Sequence, residues 1–149
     1  MKICICSSMS GYARFMELKE VLENENHIVL HPEVEFEMKG DDTSVGAYFE
    51  RNGGIDAFPP EHEVWKKKGD AIAKHFQKID ACDAILVTNY EKKGIENYIG
   101  GNTFLEIGYA FGAGKKIFIL NSIPSELSYK EEILGMQPIV LHGDILKLQ

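Results

Sequence analysis

The chain has 149 residues, 44% hydrophobic and 26% charged, with a formal net charge of −7 at pH 7. That length holds one core, so residues 1–149 read as a single domain. Only Arg14 and Arg51 are arginines, which argues against a duplex-binding surface, and no apolar stretch is long enough to cross a bilayer. Neither nucleic acid nor membrane is therefore expected as a partner. The opening Met1–Cys6 run is too short for a secretory signal, and a cytoplasmic address is expected.

In chain order, Ile3 to Cys6 reads as a buried strand. Tyr12 to Glu25 reads as a helix with Phe15, Leu18, Val21 and Leu22 on one face. Ile28 to Leu30 is a second strand, stopped by Pro32. Residues 33–63 have no clear period. They carry Gly40-Asp41-Asp42, Gly53-Gly54, Pro59-Pro60 and the aromatics Phe36, Tyr48, Phe49 and Phe58. A stretch of that length and composition is expected to be a lid-like, substrate-covering insertion. Trp65 to Ile79 reads as a helix, Asp83 to Thr88 as a third strand and Thr103 to Ala113 as a helix. Lys116 to Leu120 is a fourth strand, Ser128 to Leu134 a short helix and Ile139 to Leu141 a fifth strand.

Strands that are apolar throughout, alternating with helices, imply a mostly parallel sheet covered on both faces. Right-handed crossovers then give an α/β, doubly wound, five-stranded sheet of flavodoxin or Rossmann type in order 2-1-3-4-5. Ligands of such folds bind at the carboxyl ends of the strands. That places a site among three loops, Ser7 to Gly11, Asn89 to Asn102 and Asn121 to Ser125.

The cysteines, Cys4, Cys6 and Cys82, are odd in number and lack CxxC spacing, so they read as buried core thiols. Cys4 and Cys6, two apart on a strand, share one face. The five histidines have no metal-ligand spacing, and no metal and no cofactor are expected.

The chemistry concentrates between Ile99 and Lys115. Glu106 is the one charged residue from Thr103 to Gly114, in a helix apolar enough to be buried on most sides. Two readings are open. Thr103 and Glu106 match the S/T-x-x-E capping box. Alternatively, Glu106 is a nucleophile or base whose charge the helix N-terminus favours and burial opposes. Gly100, Gly101 and Asn102 precede it and admit a ligand close to the backbone. Ser7, Ser8 and Ser10 follow the first strand and face the same crevice, suited to a phosphate or ribose hydroxyls, or else forming an ordinary turn and N-cap. The loop is neither GxGxxG nor a P-loop.

Glu106-Ile107-Gly108-Tyr109-Ala110, followed after three residues by Gly114-Lys115, resembles the E-L-G-Y-A-x-x-x-G-K segment of the nucleoside 2-deoxyribosyltransferases. The strand Asp83 to Val87 is similar to the one that leads to that site. Cys6-Ser7-Ser8-Met9 resembles the first-strand loop of the related deoxynucleoside 5′-monophosphate N-glycosidases, which bind a phosphate there. Gly100-Gly101-Asn102-Thr103-Phe104-Leu105-Glu106 also resembles, one residue shorter, the P-G-G-x-G-T-x-x-E loop of the cytokinin-activating phosphoribohydrolases.

The resemblance implies that Glu106 attacks the anomeric carbon and that Gly108 permits close packing of helix on sheet. It also implies a homo-oligomer. The chain departs from the pattern at Gly100, where the transferases have an aspartate and the hydrolases a serine. It departs again at His75, or Lys74 in a shifted register, where both have an acidic residue. His75 then becomes the candidate proton donor, with Asp83 and Asp80 as alternatives. The expected function is cleavage or transfer at the N-glycosidic bond of a nucleoside or its 5′-monophosphate, a small-molecule partner. The alternative is a nucleotide-binding protein that keeps the fold without turnover.

Overall fold

The computed structural model describes residues 1–33 and 45–148. Among them are five strands, β1 (Lys2–Cys6), β2 (Ile28–Leu30), β3 (Ala84–Val87), β4 (Lys116–Ile119) and β5 (Ile139–Val140). Five α-helices accompany them, α1 (Tyr12–Asn24), α2 (Val45–Arg51), α3 (Glu63–Asp80), α4 (Gly101–Gly112) and α5 (Lys130–Gly135). The strands form one sheet in order β2-β1-β3-β4-β5, and every pairing is parallel. The expected doubly wound α/β sheet and its strand order are what the chain forms.

The chain divides into two compact units, Met1–Pro32 with Phe76–Gln149, and Glu33–His75. The first holds the sheet. Its central strands are buried on both faces, so each face collects every second residue. Cys4, Cys6, Ile85, Val87, Ile117 and Ile119 pack on one side with Ile79 of α3, Ile107 and Ala110 of α4 and Ile133 of α5. Ile3, Ile5, Ala84, Leu86 and Phe118 pack on the other with Phe15 and Leu22 of α1. The expected sharing of one face by Cys4 and Cys6 follows from this alternation, and all three cysteines are buried free thiols.

The second unit has its own small aromatic cluster. Phe49 of α2 stacks on Trp65 of α3 with ring centroids 5.3 Å apart, and Phe58 meets Phe49 edge-on at 5.4 Å. The turn after α2 runs through Gly53 (φ 90°) and Gly54 (φ 86°), left-handed conformations that cost glycine little. α3 starts two residues earlier than expected, after Pro59-Pro60, where His62 Nδ1 accepts the Val64 N–H at 3.1 Å. Phe36 and Gly40-Asp41-Asp42 of the expected insertion lie outside the described residues.

α4 also starts earlier than expected. Gly100, extended at φ −85° and ψ 173°, is its N-cap. Thr103 is therefore already the third helical residue and Glu106 stands in the second turn. That overturns the capping-box reading, because a carboxylate there is past the positions that reach back to the N-cap. It also weakens the expected support from the helix dipole, which fades beyond the first turn.

Candidate active site

The sheet order reverses between β1 and β3, since β2 lies to one side of β1 and all later strands lie to the other. In sheets of this kind ligands bind at the carboxyl ends of the two strands where the order reverses. Glu106 reaches this edge from α4. Its carboxylate is within hydrogen-bonding reach of the thiol of Cys6, the last residue of β1. Glu106 is half-buried, and its Oε2 atom is shut off from solvent.

The residues immediately after Cys6 are the predicted serines. Ser8 Oγ and Ser10 Oγ are 3.0 Å apart, and Lys92 Nζ donates to Ser8 Oγ at 2.9 Å. Ser7 Oγ lies 3.4 Å from the Thr88 carbonyl at the end of β3, tying the two loops together. Thr88 Oγ1 is buried and makes no hydrogen bond among the described residues. Beneath the serines, Gly11 lets Tyr90 approach. A Cβ there would stand 2.9 Å from the ring and 3.3 Å from Ser7 Oγ. Arg14 of α1 covers the same ring at 4.0 Å. Burial pushes the Tyr90 phenol above its usual range, and Arg14 pulls it partly back.

The loop from β3 to α4 is held from two sides. Asn89, 1% exposed, offers Nδ2 to the carbonyls of Asn97, Asn121 and Ser122 at 3.4, 3.3 and 3.1 Å. Its Oδ1 accepts the Asn121 N–H at 2.9 Å. Tyr129 donates to the Ile99 carbonyl and stacks on Phe104 at 4.5 Å. Gly100 is closed in by the Tyr98 ring, which a Cβ would meet at 2.9 Å. Gly101 and Asn102 are exposed, and Gly100 offers no side chain to cap the first turn of α4.

The structure thus gathers Glu106 and Ser7, Ser8 and Ser10 around the end of β1, with Gly100, Gly101 and Asn102 leading into the helix that carries Glu106. It does not bring Asp83 there. Asp83 Oδ2 accepts the Lys2 N–H at 2.7 Å, at the opposite edge of the sheet, about 13 Å from Cys6 at 3.3 Å of rise per residue. Asp80 is at that edge too, bonded to Tyr109. His75 is buried on α3 in the second unit. The contacts of Lys92, Asn89, Arg14 and Tyr90 around these loops are not legible in the sequence, because they depend on which loops meet.

By sequence, the chain matches no family model and no curated protein. By structure, it is similar to the 2-deoxyribosyltransferase of Bacillus psychrosaccharolyticus, with a TM-score of 0.55 and 16% identity over 91% of this chain and 82% of that one. It is also similar to the CMP N-glycosidase of Clostridium botulinum, with a TM-score of 0.51 and 15% identity over 95% of this chain and 90% of that one. The chain shares the fold of the nucleoside 2-deoxyribosyltransferases.

Within the segment from Glu106 to Lys115, Glu106 is the residue in contact with the end of β1 through Cys6. Gly114 (φ 68°) closes α4. Its N–H bonds the Phe111 carbonyl at 3.0 Å while Lys115 N–H bonds Ala110 at 2.9 Å, the paired pattern of a Schellman motif. Lys115 Nζ donates to the carbonyls of Asp80 and Cys82, both at 2.8 Å. Gly108 does not mediate close packing of helix on sheet, contrary to the expectation. It is exposed, and a Cβ there would meet nothing within 4 Å.

Proposed function

We propose that this chain is a nucleoside 2-deoxyribosyltransferase-like enzyme that cleaves or transfers at the N-glycosidic bond of a (deoxy)nucleoside or its 5′-monophosphate, with Glu106 as nucleophile. The observation that carries the reading is the junction at the end of β1. One residue there touches the Glu106 carboxylate, and the next ones form a hydroxyl cluster joined by the Lys92 ammonium. A carboxylate beside an anion-holding group suits a sugar whose C1′ faces one and whose 5′ end faces the other.

In this reading a Glu106 oxygen attacks C1′, the C1′–N bond breaks, and its electron pair leaves with the base, which takes up a proton. The resulting glycosyl ester is opened by water or by a second base. Negative charge next to C1′ also stabilises the oxocarbenium-like transition state. The proton donor is assigned to His75 from its place in the sequence alone. Ser8, Ser10 and Lys92 hold the 5′-phosphate or the 5′-hydroxyl. The enzyme works without a cofactor, as a cytoplasmic homo-oligomer.

The test is a panel of ribo- and deoxyribonucleosides and their 5′-monophosphates, with and without an acceptor base, followed by chromatography. Release or exchange of base by the wild type, lost in Glu106→Ala, supports the reading. Absence of turnover across the panel sinks it. A second reading, nucleotide binding without turnover, is favoured by Gly100 standing where the resembled enzymes have an aspartate or a serine, and by His75 standing where they have an acidic residue. It predicts that Glu106→Gln leaves both binding and the lack of turnover unchanged.

A further inference from the structure

The three cysteines lie in one buried cluster on the α4 face of the sheet, together with Ile107, the neighbour of Glu106. Cys4 and Cys6 alternate along β1, and Cys82 sits in the turn before β3. Their side chains are hydrogen-bonded in series, Cys82 with Cys4, Cys4 with Cys6, and Cys6 with Glu106. Each thiol has one proton to give. The carbonyls of Ile5 and Cys4 lie at 3.8 and 3.9 Å from Cys4 Sγ and Cys6 Sγ. Those contacts are long, and a carboxylate is the stronger acceptor. The Cys6 proton is therefore directed toward Glu106.

We propose that Cys6 is a positioning residue for Glu106, its thiol donating to the carboxylate from the end of β1 and fixing which oxygen is presented to C1′, with Cys4 and Cys82 aligned behind it. This rests on Glu106 being the nucleophile. The donor keeps its proton at neutral pH, since burial pushes the Cys6 thiol up to about 12. Hydrogen bonding, to Cys6 for Cys4 and to Cys4 for Cys82, raises the other two thiols as well. A thiol is a weak donor, which suits the task. The nucleophile must lose negative charge to C1′ in the transition state, and a strong donor would hold that charge on the carboxylate.

The contact can be tested apart from catalysis. The infrared difference between wild type and Cys6→Ala isolates the Cys6 S–H stretching band. A thiol bonded to a carboxylate is expected at lower frequency than a free one, and the band should rise in Glu106→Ala. Glu106→Gln serves the same comparison if Glu106→Ala does not fold, and Cys6→Ser replaces Cys6→Ala on the same ground. A band that ignores both Glu106 variants overturns the proposal.

In turnover, Cys6→Ala should lower kcat roughly tenfold, the scale of one hydrogen bond to a charged group, with KM within about twofold. Cys6→Ser, which restores a donor, should recover most of it. Ile133→Val, a loss in the same core cluster, should leave kcat unchanged. An unchanged kcat in Cys6→Ala overturns the positioning role. A band shift with no turnover in the wild type would instead sink the enzymatic reading and leave the Cys6–Glu106 contact standing.

Discussion

Tyr109 donates its hydroxyl to the Asp80 carboxylate at 2.8 Å, one helical turn along α4 from Glu106 and at the amino-terminal edge of the sheet. The same helix thus delivers a carboxylate to one edge and anchors itself at the other. Bonding to Asp80 pushes the Tyr109 phenol above its ordinary range. The neutral phenol is the form that the fold favours. Its contribution is therefore fully present below the unfolded tyrosine pKa and is lost as the pH rises through the raised folded value. Spectrophotometric titration should show, besides Tyr90, a late-ionising tyrosine that moves down in Asp80→Asn. Tyr109→Phe should remove that late step and leave kcat intact.

Two glycines of one segment should respond with opposite signs. Gly114→Ala puts a side chain at φ 68° and should cost about 1 kcal/mol or somewhat more, since left-handed backbone disfavours a Cβ. Gly108→Ala meets open space in a helix interior and should stabilise by about 1 kcal/mol through helix propensity. Urea unfolding of the two variants checks the pair. A loss of stability in Gly108→Ala would contradict the exposed placement.

Lys92→Ala should raise KM for a 5′-monophosphate roughly tenfold and leave KM for the matching nucleoside nearly unchanged, because a charge-assisted hydrogen bond acts only on the anion. Ser8→Ala should shift KM in the same direction by less. Equal effects on both substrates would mean that the cluster holds something other than the phosphate.

Asn89→Ala removes a buried amide that joins the loops after β3 and β4, and leaves the Asn121 N–H without its acceptor. The cost should be on the order of 2 kcal/mol. Hydrogen exchange should speed up at Asn121 before it does in the strands. Uniform acceleration across the sheet would show instead that Asn89 supports the whole fold.

Gly11→Ala places a Cβ 2.9 Å from the Tyr90 ring and should displace it from under Arg14. The expected readout is a rise in KM for the 5′-monophosphate with smaller loss of thermal stability. Tyr90→Leu in the same background should relieve the clash.

The sequence by itself determined the sheet. Strands such as Ala84-Ile85-Leu86-Val87 are apolar on both faces, and only a parallel sheet covered on both sides buries them, so period and chirality sufficed. It also singled out Glu106, because one carboxylate in an otherwise apolar helix is conspicuous before any contact is known. Tertiary structure decided the rest. Whether Thr103 or Gly100 begins α4 depends on the path of the preceding loop, which Tyr98, Tyr129 and Asn89 hold through contacts distant in sequence. In the sequence Glu106 is the candidate nucleophile and Asp83 an alternative proton donor at one site. They differ in the edge of the sheet each occupies, and the strand β1 between Lys2 and Cys6 separates them. Lys92 reaches Ser8 across 84 positions of chain, and no local pattern encodes a meeting of that kind.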